Sequence, residues 1–406
     1  MADIRPFKGL RPRVNLVEKV AALPYDVSTD DEVKAKRINP YSFYHITRSE
    51  IDINTGDLIH SKEVYQKASE NLNRFIEEKT LVQDTQAYYY IYMLTMNGRS
   101  QTGLVCCSSL KDYENGIIKK HEFTQPVRVL DRVDNIVATR AHTGLVFLAY
   151  KELDTISEII ENWKSNQEAI YNFTSEDGIA HQLWVLDDNK TIEAITEIFQ
   201  TKVPNTYIAD GHHRSEAAYL AQEKLSGSNK DYYLTCIFPD TEVFIMDYNR
   251  TVKDLNGLDE TTFLESLKSQ FEVTLSDHPY APKKEHEFGM YLNGNWYMLF
   301  AKENSYNSDD SIDVLDVSIL QNNLLTPILD IDDPRTNERI DFIGGIKGLK
   351  GLEDEVDSGR AAVAFSCFPA TMNQLFDVAD KGKVMPPKST WFEPKTRDGL
   401  VLHLID

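Results

Sequence analysis

The sequence lacks the features that mark membrane, secreted and zinc-binding proteins. It contains no run of roughly 18 consecutive apolar residues, and its first residues lack the apolar stretch of a signal peptide. Its four cysteines include no CxxC pair, so neither a disulfide framework nor a zinc-knuckle spacing is present. We therefore expect a cytoplasmic protein with reduced, buried thiols and no membrane segment.

Basic residues are scarce relative to acidic ones. Sixty-four Asp and Glu residues against 43 Lys and Arg residues give a net charge of −21. Affinity for nucleic acid depends on Lys and Arg side chains that neutralise phosphates, so this charge argues against a nucleic-acid partner. Its simplest consequence is solubility. A local basic pocket that binds a small-molecule substrate is compatible with this net charge. A homodimer is also compatible with it.

Several motifs of nucleotide-binding and hydrolytic enzymes are also missing. The sequence has no GxxxxGK[ST] P-loop and no glycine-rich kinase loop. No GxSxG elbow surrounds Ser389, which argues against a hydrolytic serine nucleophile at this position. Any phosphate or nucleotide site in this chain must therefore be built from other residues.

The length of 406 residues exceeds what single hydrophobic cores usually reach, so two domains are expected. With 41% hydrophobic and 26% charged residues, the composition is that of an ordinary globular protein. Helical and strand patterns are mixed along the chain, and the pattern resets after residue 250. We predict an α+β fold with one domain over residues 1–250 and a second α+β domain over residues 251–406.

Hydrophobic periodicity predicts the individual elements. Apolar residues at helical spacing predict an amphipathic helix over residues 61–79. Asn97 and Gly98, a pair that suits a type I′ turn, lie between two β-branched and aromatic runs and so predict a hairpin. The other predicted elements are strands at 181–186, 205–209, 232–238, 289–292, 296–301 and 361–366, and helices at 217–221, 264–271, 314–325 and 371–380.

The most informative segment is a polar turn between a predicted strand and the helix that follows it. The turn consists of Asp210, Gly211, His212, His213 and Arg214. Such a junction directs free N–H groups and the positive end of the helix dipole at one point, so an anion can bind there. Gly211 permits close approach of the backbone, and Arg214 offers a planar fork that matches phosphate oxygens.

Two other interpretations of this turn stay open. The histidines and the arginine could belong to an ordinary surface turn. A metal site is the second alternative, and it would need Asp210 together with remote ligands. Adjacent histidines at a helix start rarely point at the same atom, so the turn alone cannot supply the ligand set.

Two further groups of residues are candidates for the same pocket. Asp26, in an irregular stretch rich in aromatic residues, is a second candidate carboxylate, and helix N-capping is an equal alternative for it. His121, Glu122, Asp131 and Arg132 belong to a polar segment that could face the cleft or form a solvated loop.

A third candidate group lies near the end of the sequence. Lys388, Ser389 and Thr390 follow two prolines that stiffen the backbone and could orient these side chains toward an anion. Ordinary packing of Trp391 and Phe392 is the alternative reason for this compact segment.

Residues 207–218, which include the turn and Glu216, resemble the signature of a bacterial and archaeal family of proteins of unknown function. The resemblance implies that Glu216 belongs to the ligand-binding set with the turn. Members of that family tend to lie beside serine-biosynthesis genes, which points to serine metabolism. Similar blocks occur along most of the chain, at residues 5–8, 10–12, 24–27, 120–122, 131–132 and 385–390.

The turn alone also resembles a loop of archaeal free serine kinase, a member of the ParB and sulfiredoxin superfamily in which this loop binds nucleotide phosphates. This resemblance implies a ParB/sulfiredoxin-like, serine kinase-like core. It further implies transfer of a phosphoryl group to the hydroxyl of a small metabolite, with free L-serine as the leading acceptor. Phosphoryl transfer usually needs Mg²⁺, and pyrophosphate, ADP and ATP are all open as donors.

In that hypothesis His212, His213 and Arg214 clamp the phosphate, while Asp210 either holds Mg²⁺ or accepts the proton of the acceptor hydroxyl. Asp26 and His213 complete the expected catalytic set. Two alternatives stay open. One is a nucleotide-binding regulatory module of the ParB type, and the other is a phosphatase or hydrolase in which water takes the place of the acceptor.

Overall fold

The computed structural model describes residues 1–53 and 60–406. The chain separates into two compact units: the first comprises Met1–Val243 together with Pro394–Asp406, and the second comprises Phe244–Glu393. Both units mix helices and sheets. The sequence-based division at residue 250 assigned residues 394–406 to the second domain, whereas the structure groups them with the first unit, because their strand pairs with residues 141–142.

The first unit is built on a mixed sheet with the strand order β6-β11-β8-β12-β5-β4-β10-β9, in which β1 also pairs with β5. Strand β12 runs parallel to β8, and β11 runs antiparallel to β8. Two short pairs, β2 with β3 and β7 with β21, lie outside this sheet. The strands of this unit are β1 (Ile4–Arg5), β2 (Leu10–Pro12), β3 (Leu81–Gln83), β4 (Tyr89–Met96), β5 (Arg99–Ser109), β6 (Ile118–Lys119), β7 (Ala141–His142), β8 (Val146–Tyr150), β9 (Tyr171–Thr174), β10 (Ala180–Leu186), β11 (Thr206–Asp210), β12 (Tyr232–Pro239) and β21 (His403–Leu404).

The first unit contains the helix and the hairpin that the sequence predicts most clearly. The predicted helix 61–79 is confirmed as α4, and the predicted hairpin is confirmed as β4 and β5. Asn97 and Gly98 have positive φ of 52° and 78°, as the type I′ turn requires. The helices are α1 (Val17–Val20), α2 (Asp30–Ala35), α3 (Tyr44–Thr47), α4 (Lys62–Glu77), α5 (Leu110–Glu114), α6 (Pro126–Thr139), α7 (Asp154–Asn166), α8 (Asn189–Lys202) and α9 (His212–Gln222).

Helix α6 corrects one of the sequence interpretations. The sequence is compatible with a polar segment that forms a solvated loop here, but residues 126–139 form a helix with Pro126 in its first turn. The helix buries Val129 and Val133 in the core. Asp131 and Arg132 lie on this helix and are only 7% and 9% exposed, so the solvated-loop alternative is wrong for them.

The second unit contains a six-stranded antiparallel sheet with the order β15-β17-β16-β19-β14-β18. The turn at Asn293 and Gly294 joins β16 to β17 as predicted. The predicted helix 264–271 is displaced: it ends at Leu267, and Phe271 begins a strand. The elements are β13 (Ile245–Met246), β14 (Tyr248–Val252), β15 (Phe271–Ser276), β16 (Glu287–Leu292), β17 (Asn295–Ala301), β18 (Ile340–Gly344), β19 (Val363–Cys367), β20 (Trp391–Phe392), α10 (Glu260–Leu267), α11 (Asp316–Leu320), α12 (Gly348–Asp357) and α13 (Met372–Asp380).

All four cysteines are buried and unbonded. In the described part of the chain, every helix is too short or too polar to cross a bilayer.

Candidate active site

The polar turn lies at the end of β11, where the sequence analysis placed it. Gly211 has φ of 99°, a conformation that residues with a Cβ rarely adopt, and it caps the start of α9. A Cβ at this position would lie 3.1 Å from Nε of Arg214. Gly211 is therefore required twice, for the turn itself and for the space that the Arg214 guanidinium occupies.

Arg214 points inward rather than into solvent, and the residue is only 8% exposed. Its guanidinium donates to the backbone carbonyl of Leu145 and, over 3.2 Å, to the carboxylate of Asp210. Its Nε is buried and has no hydrogen-bond partner in the described residues. One N–H of this side chain is thus left to be satisfied by a ligand or a water.

A cavity of about 430 Å³ lies against Arg214, and we call it the inner cavity. Four of the residues that line it have a buried polar atom without a hydrogen-bond partner in the described residues: Oη of Tyr25, Nε of Arg214, Oη of Tyr233 and Oδ1 of Asp398. Because native structures leave few buried polar groups unpaired, this convergence indicates a binding site. Other polar side chains in its wall are Thr47, Arg132, Asn135 and Thr143.

A second, wider cavity of about 860 Å³, the outer cavity, adjoins the inner one. Both cavities have Tyr25, Thr47, Arg132 and Asn135 in their walls, so these residues lie at the junction. Charged side chains surround the outer cavity, namely Asp26, Arg48, Glu50, His60, Arg128 and Asp131.

Arg132 is held at this junction by a well-defined network. Its Nε donates to Asp131 over 2.7 Å, and its guanidinium lies over the ring of Tyr25, 3.9 Å from the ring centre. Asp131 in turn accepts from Tyr65 Oη over 2.8 Å and lies 2.8 Å from Nδ1 of His60. The predicted pair Asp131 and Arg132 therefore does reach the pocket, with Asp131 orienting Arg132.

The two histidines of the turn have different neighbours from those expected. His212 is 4% exposed, and its Nε2 accepts a 3.4 Å hydrogen bond from the backbone N–H of His121, whose ring packs edge-on against it. Burial lowers the pKa of His212 well below its usual range and lowers that of His121 to about 4. Both rings are neutral near pH 7, and neither lines the two cavities described above.

His213 and Glu216 also anchor the chain that leads into α6. Nε2 of His213 accepts a 3.0 Å hydrogen bond from the backbone N–H of Gln125, and Glu216 accepts a hydrogen bond from Thr124. With Nε2 accepting, the proton of neutral His213 resides on Nδ1, so the ring is a donor rather than a base. His212, His213 and Glu216 thus hold segment 121–125, Arg214 is the cation of the turn that lines the inner cavity, and a phosphate-binding role for the other three residues remains a prediction.

Glu122 belongs to the same segment but is turned outward. Its side chain is 55% exposed, and its Oε2 lies 3.7 Å from Nδ1 of His212. It lines neither the inner nor the outer cavity. A direct role in ligand binding remains a prediction for Glu122.

Asp210 is paired with two cations. Its Oδ2 lies 3.2 Å from Arg214 and 3.6 Å from Nζ of Lys395. Burial raises the pKa of Asp210, but Lys395 and Arg214 outweigh it and bring the pKa down to about 2. A carboxylate this acidic and this well paired is a poor proton acceptor at neutral pH.

The same pairing bears on the expected magnesium ion. In residues 1–53 and 60–406, no group of three or more His, Cys, Asp or Glu side chains is arranged to hold a metal. The one carboxylate proposed for Mg²⁺, Asp210, is engaged with Arg214 and Lys395. The described residues therefore do not fit a protein-held Mg²⁺, and this role of Asp210 is not supported.

Asp26 is the candidate carboxylate that stays accessible. The N-cap of α2 is Thr29, which forms a reciprocal capping box with Glu32, so the N-cap alternative for Asp26 is wrong. Asp26 is exposed in the turn that precedes this helix and lines the outer cavity. It is therefore placed to contact a ligand there.

Asp398 and Lys395 are site residues that the sequence analysis missed. Asp398 is 2% exposed, lines the inner cavity, and is fixed by two backbone hydrogen bonds with Ala22. Burial raises its pKa to about 7, although Arg214 opposes this. Neither residue belongs to a local motif. Both lie in residues 394–406, which are far from the turn in sequence but belong to the same unit of the structure.

Lys388, Ser389 and Thr390 belong to the second unit. Ser389 is buried and donates a 2.6 Å hydrogen bond to the carbonyl of Pro386. Lys388 has φ of 59°, and its carbonyl accepts from Arg250 over 3.1 Å. These contacts suit a packed turn, and a ligand role for the three residues remains a prediction.

Comparisons with known proteins found no match among curated proteins, whereas several solved structures are similar at low identity. A conserved hypothetical protein from Pyrococcus furiosus is 15% identical, with a TM-score of 0.36 over 74% of this chain and 95% of that one. A free serine kinase variant in complex with AMP is 13% identical, with a TM-score of 0.36 over 78% and 93%. SbnI with a C-terminal truncation, from Staphylococcus aureus, is 11% identical, with a TM-score of 0.38 over 72% and 85%.

A family model covers residues 4–318 of the chain. This range contains the turn, the helices that line the two cavities and part of the second unit. The chain belongs to the family described as protein of unknown function DUF1015.

Proposed function

We propose that this protein is a phosphotransferase that moves a phosphoryl group to the hydroxyl of a small metabolite, with free L-serine as the leading acceptor. The observation that carries the proposal is the pair of adjoining cavities, one small and one wide, with Arg132 and Tyr25 at their junction. The inner cavity suits a small acceptor, and the outer cavity suits a donor such as pyrophosphate, ADP or ATP.

The charged groups meet the demands of phosphoryl transfer. The reaction needs cations on the moving phosphate, a group that takes the acceptor proton, and exclusion of bulk water. Arg132 and Arg128 line the outer cavity and can neutralise phosphate oxygens. In the transfer step the acceptor oxygen bonds to phosphorus, the bond from phosphorus to the donor oxygen breaks, and the acceptor proton passes to Asp26.

Arg214 anchors the acceptor in this proposal. Arg214 lines the inner cavity and its Nε–H has no partner in the described residues, so an oxygen of the acceptor can complete its hydrogen bonding. Mg²⁺ in phosphoryl transfer is commonly bound by substrate phosphates with few protein ligands, so the donor is added as its magnesium complex. The ParB/sulfiredoxin-like core and the cytoplasmic location stay predictions from the sequence.

The test is direct product detection. The full chain is incubated with L-serine, Mg²⁺ and each of the three donors in turn, and phosphoserine is measured by mass spectrometry and ³¹P NMR. We expect phosphoserine with at least one donor. Phosphate release that does not depend on serine would support a phosphatase instead. Nucleotide binding with no turnover under any condition would support a regulatory module.

A further inference from the structure

The inner cavity is lined by a buried carboxyl group, that of Asp398, which the phosphoryl-transfer chemistry proposed above does not use. Oδ1 of Asp398 and Nε of Arg214 are both buried, both lack a hydrogen-bond partner in the described residues, and both line this cavity. The two residues are 2% and 8% exposed. A ligand that satisfies both atoms must offer a donor to Asp398 and an acceptor to Arg214.

Asp398 cannot easily turn away from the cavity. Its backbone N–H donates to the carbonyl of Ala22 over 2.9 Å, and its carbonyl accepts from the N–H of Ala22 over 3.1 Å. Its carboxylate packs directly on Gly144, where a Cβ would lie only 2.7 Å from Oδ1. The fold therefore presents this carboxylate at a fixed place, and the absence of a side chain at residue 144 makes the room for it.

The neighbouring cations are already committed to other carboxylates. Arg132 is paired with Asp131, while Arg214 and Lys395 are paired with Asp210. In the described residues Asp398 forms no ion pair of its own. A buried carboxylate without a paired cation is costly, and a positively charged ligand would remove that cost.

On these grounds we infer that the inner cavity selects a small molecule that carries a primary ammonium group next to an oxygen acceptor, with Asp398 binding the ammonium and Arg214 the oxygen. The inference rests on the proposed function, because the ligand is the acceptor of that reaction. The inference assigns the selection of the acceptor to Asp398, in segment 394–406, as well as to Arg214 of the turn.

The charge of Asp398 links this selection to a proton. Burial raises the pKa of Asp398 to about 7, so the empty site holds a mixture of the neutral and ionised carboxyl near neutral pH. An ammonium group favours the ionised form, and its binding below pH 7 releases a proton. The charged and titratable groups that act on Asp398 are Arg214, Arg132, Asp26, Asp210 and Tyr44.

The test compares L-serine with glycerate, which replaces the amine by a hydroxyl and keeps the carboxylate. Both are titrated calorimetrically into the full chain and into Asp398→Asn. We expect the wild-type chain to bind serine at least about tenfold more tightly than glycerate, and Asp398→Asn to lose that preference. Titrations at pH 6.5 in buffers of different ionisation enthalpy should show proton release with serine and none with glycerate.

A second variant guards against misfolding of the first. Gly144→Ala keeps the charge of Asp398 but puts a methyl group against Oδ1, so it should weaken serine binding more than glycerate binding. Unchanged serine affinity in both folded variants, or a wild-type preference for glycerate, would overturn the inference.

The two proposals can fail separately. If the wild-type chain phosphorylates glycerate but not serine, amine selection is wrong and phosphoryl transfer stands. If serine binds in a manner that depends on Asp398 but no donor yields phosphoserine, amine selection stands and phosphoryl transfer is wrong.

Discussion

Each unit of the protein buries a carboxyl group whose pKa is raised far above its usual value, and the two groups have opposite surroundings. Asp398 in the first unit and Asp316 in the second are 2% and 7% exposed, and each has an oxygen without a partner in the described residues. Burial raises the pKa of Asp398 to about 7 and that of Asp316 to about 8.

Their neighbours separate the two carboxyls. Asp398 lies near the guanidinium groups of Arg214 and Arg132, in a cavity of about 430 Å³. Asp316 lies near Glu285 and Glu287 and lines a cavity of about 240 Å³ whose other walls are mostly apolar.

Burial of a carboxyl group therefore does not by itself make a binding site. Burial and the nearby carboxylates of Glu285 and Glu287 keep the Asp316 carboxyl protonated as part of the core, although the 2.8 Å hydrogen bond that its Oδ1 accepts from the backbone N–H of His286 opposes this. Asp398 shares its cavity with other unpaired polar atoms and with cations. Ligand binding is therefore expected at Asp398 and not at Asp316.

The largest effect should come from Arg214. Replacing it by Lys removes the planar fork and the Nε–H that has no partner in the described residues, and we expect the rate of phosphoryl transfer to fall by about 100-fold or more. Initial rates at saturating donor measure this loss. Arg335→Lys is the matched control, because Arg335 pairs with Asp333 on an exposed surface of the second unit and should leave the rate unchanged. Equal rates for Arg214→Lys and the control would contradict the assignment.

A large effect on stability is expected for Asp316→Asn. The folded state holds the proton of Asp316 up to about pH 8, while the unfolded state releases it near pH 4, so the wild-type free energy of unfolding falls as pH rises through this interval. Asp316→Asn has no carboxyl group to ionise at this position, so its free energy of unfolding lacks this fall. Its stability relative to wild type should grow from pH 4 to pH 8, by up to a few kcal/mol, with no change in ligand binding. Urea denaturation at several pH values measures it, and a constant difference would contradict the raised pKa.

Asp398→Asn should show the same sign over a narrower interval. The folded-state pKa of Asp398 is about 7, so the stability gained by the variant should level off near pH 7 rather than pH 8. This variant, unlike Asp316→Asn, should also lose the stabilisation that added L-serine gives the wild type. Thermal unfolding with and without serine measures both effects. Serine stabilisation that is equal in the two aspartate variants would remove the contrast between the units.

The smallest effect is expected for His213→Ala. The variant loses the hydrogen bond that the backbone N–H of Gln125 donates to the ring, at a cost of about 1 kcal/mol. Hydrogen exchange at Gln125 should become faster, since this hydrogen bond holds the segment before α6. Lys381→Ala, which removes an exposed ion pair with Asp377, should cost less than about 0.5 kcal/mol. Slow exchange at Gln125 in the variant would restore His213 as a candidate ligand.

Local patterns account for the elements that the sequence predicted well. Helix α4 and the hairpin at Asn97 and Gly98 follow from spacing and turn chemistry, which act between near neighbours in the chain. The junction of β11 with α9 was predicted for the same reason. Helix α6 was not predicted, although Pro126 and the spacing of Val129 and Val133 are helix signals, because the charged residues of this segment are equally typical of a solvated loop.

The site itself depends on contacts that local patterns do not encode. The roles of His212 and His213 follow from hydrogen bonds with His121 and Gln125, which become neighbours only in the folded chain. Asp398 reaches the inner cavity because its backbone pairs with Ala22 and because β21 pairs with β7. Sequence alone therefore located the turn but not the carboxyl that lines the inner cavity together with Arg214.

The central claim is that the inner cavity holds the acceptor between Arg214 and Asp398, and a crystal structure of the full chain grown with L-serine and pyrophosphate tests it most directly. We predict serine in the inner cavity, with its amine against Asp398 and a carboxylate oxygen about 3 Å from Nε of Arg214. Serine bound elsewhere, or an inner cavity that contains only water at saturating serine, would contradict the claim.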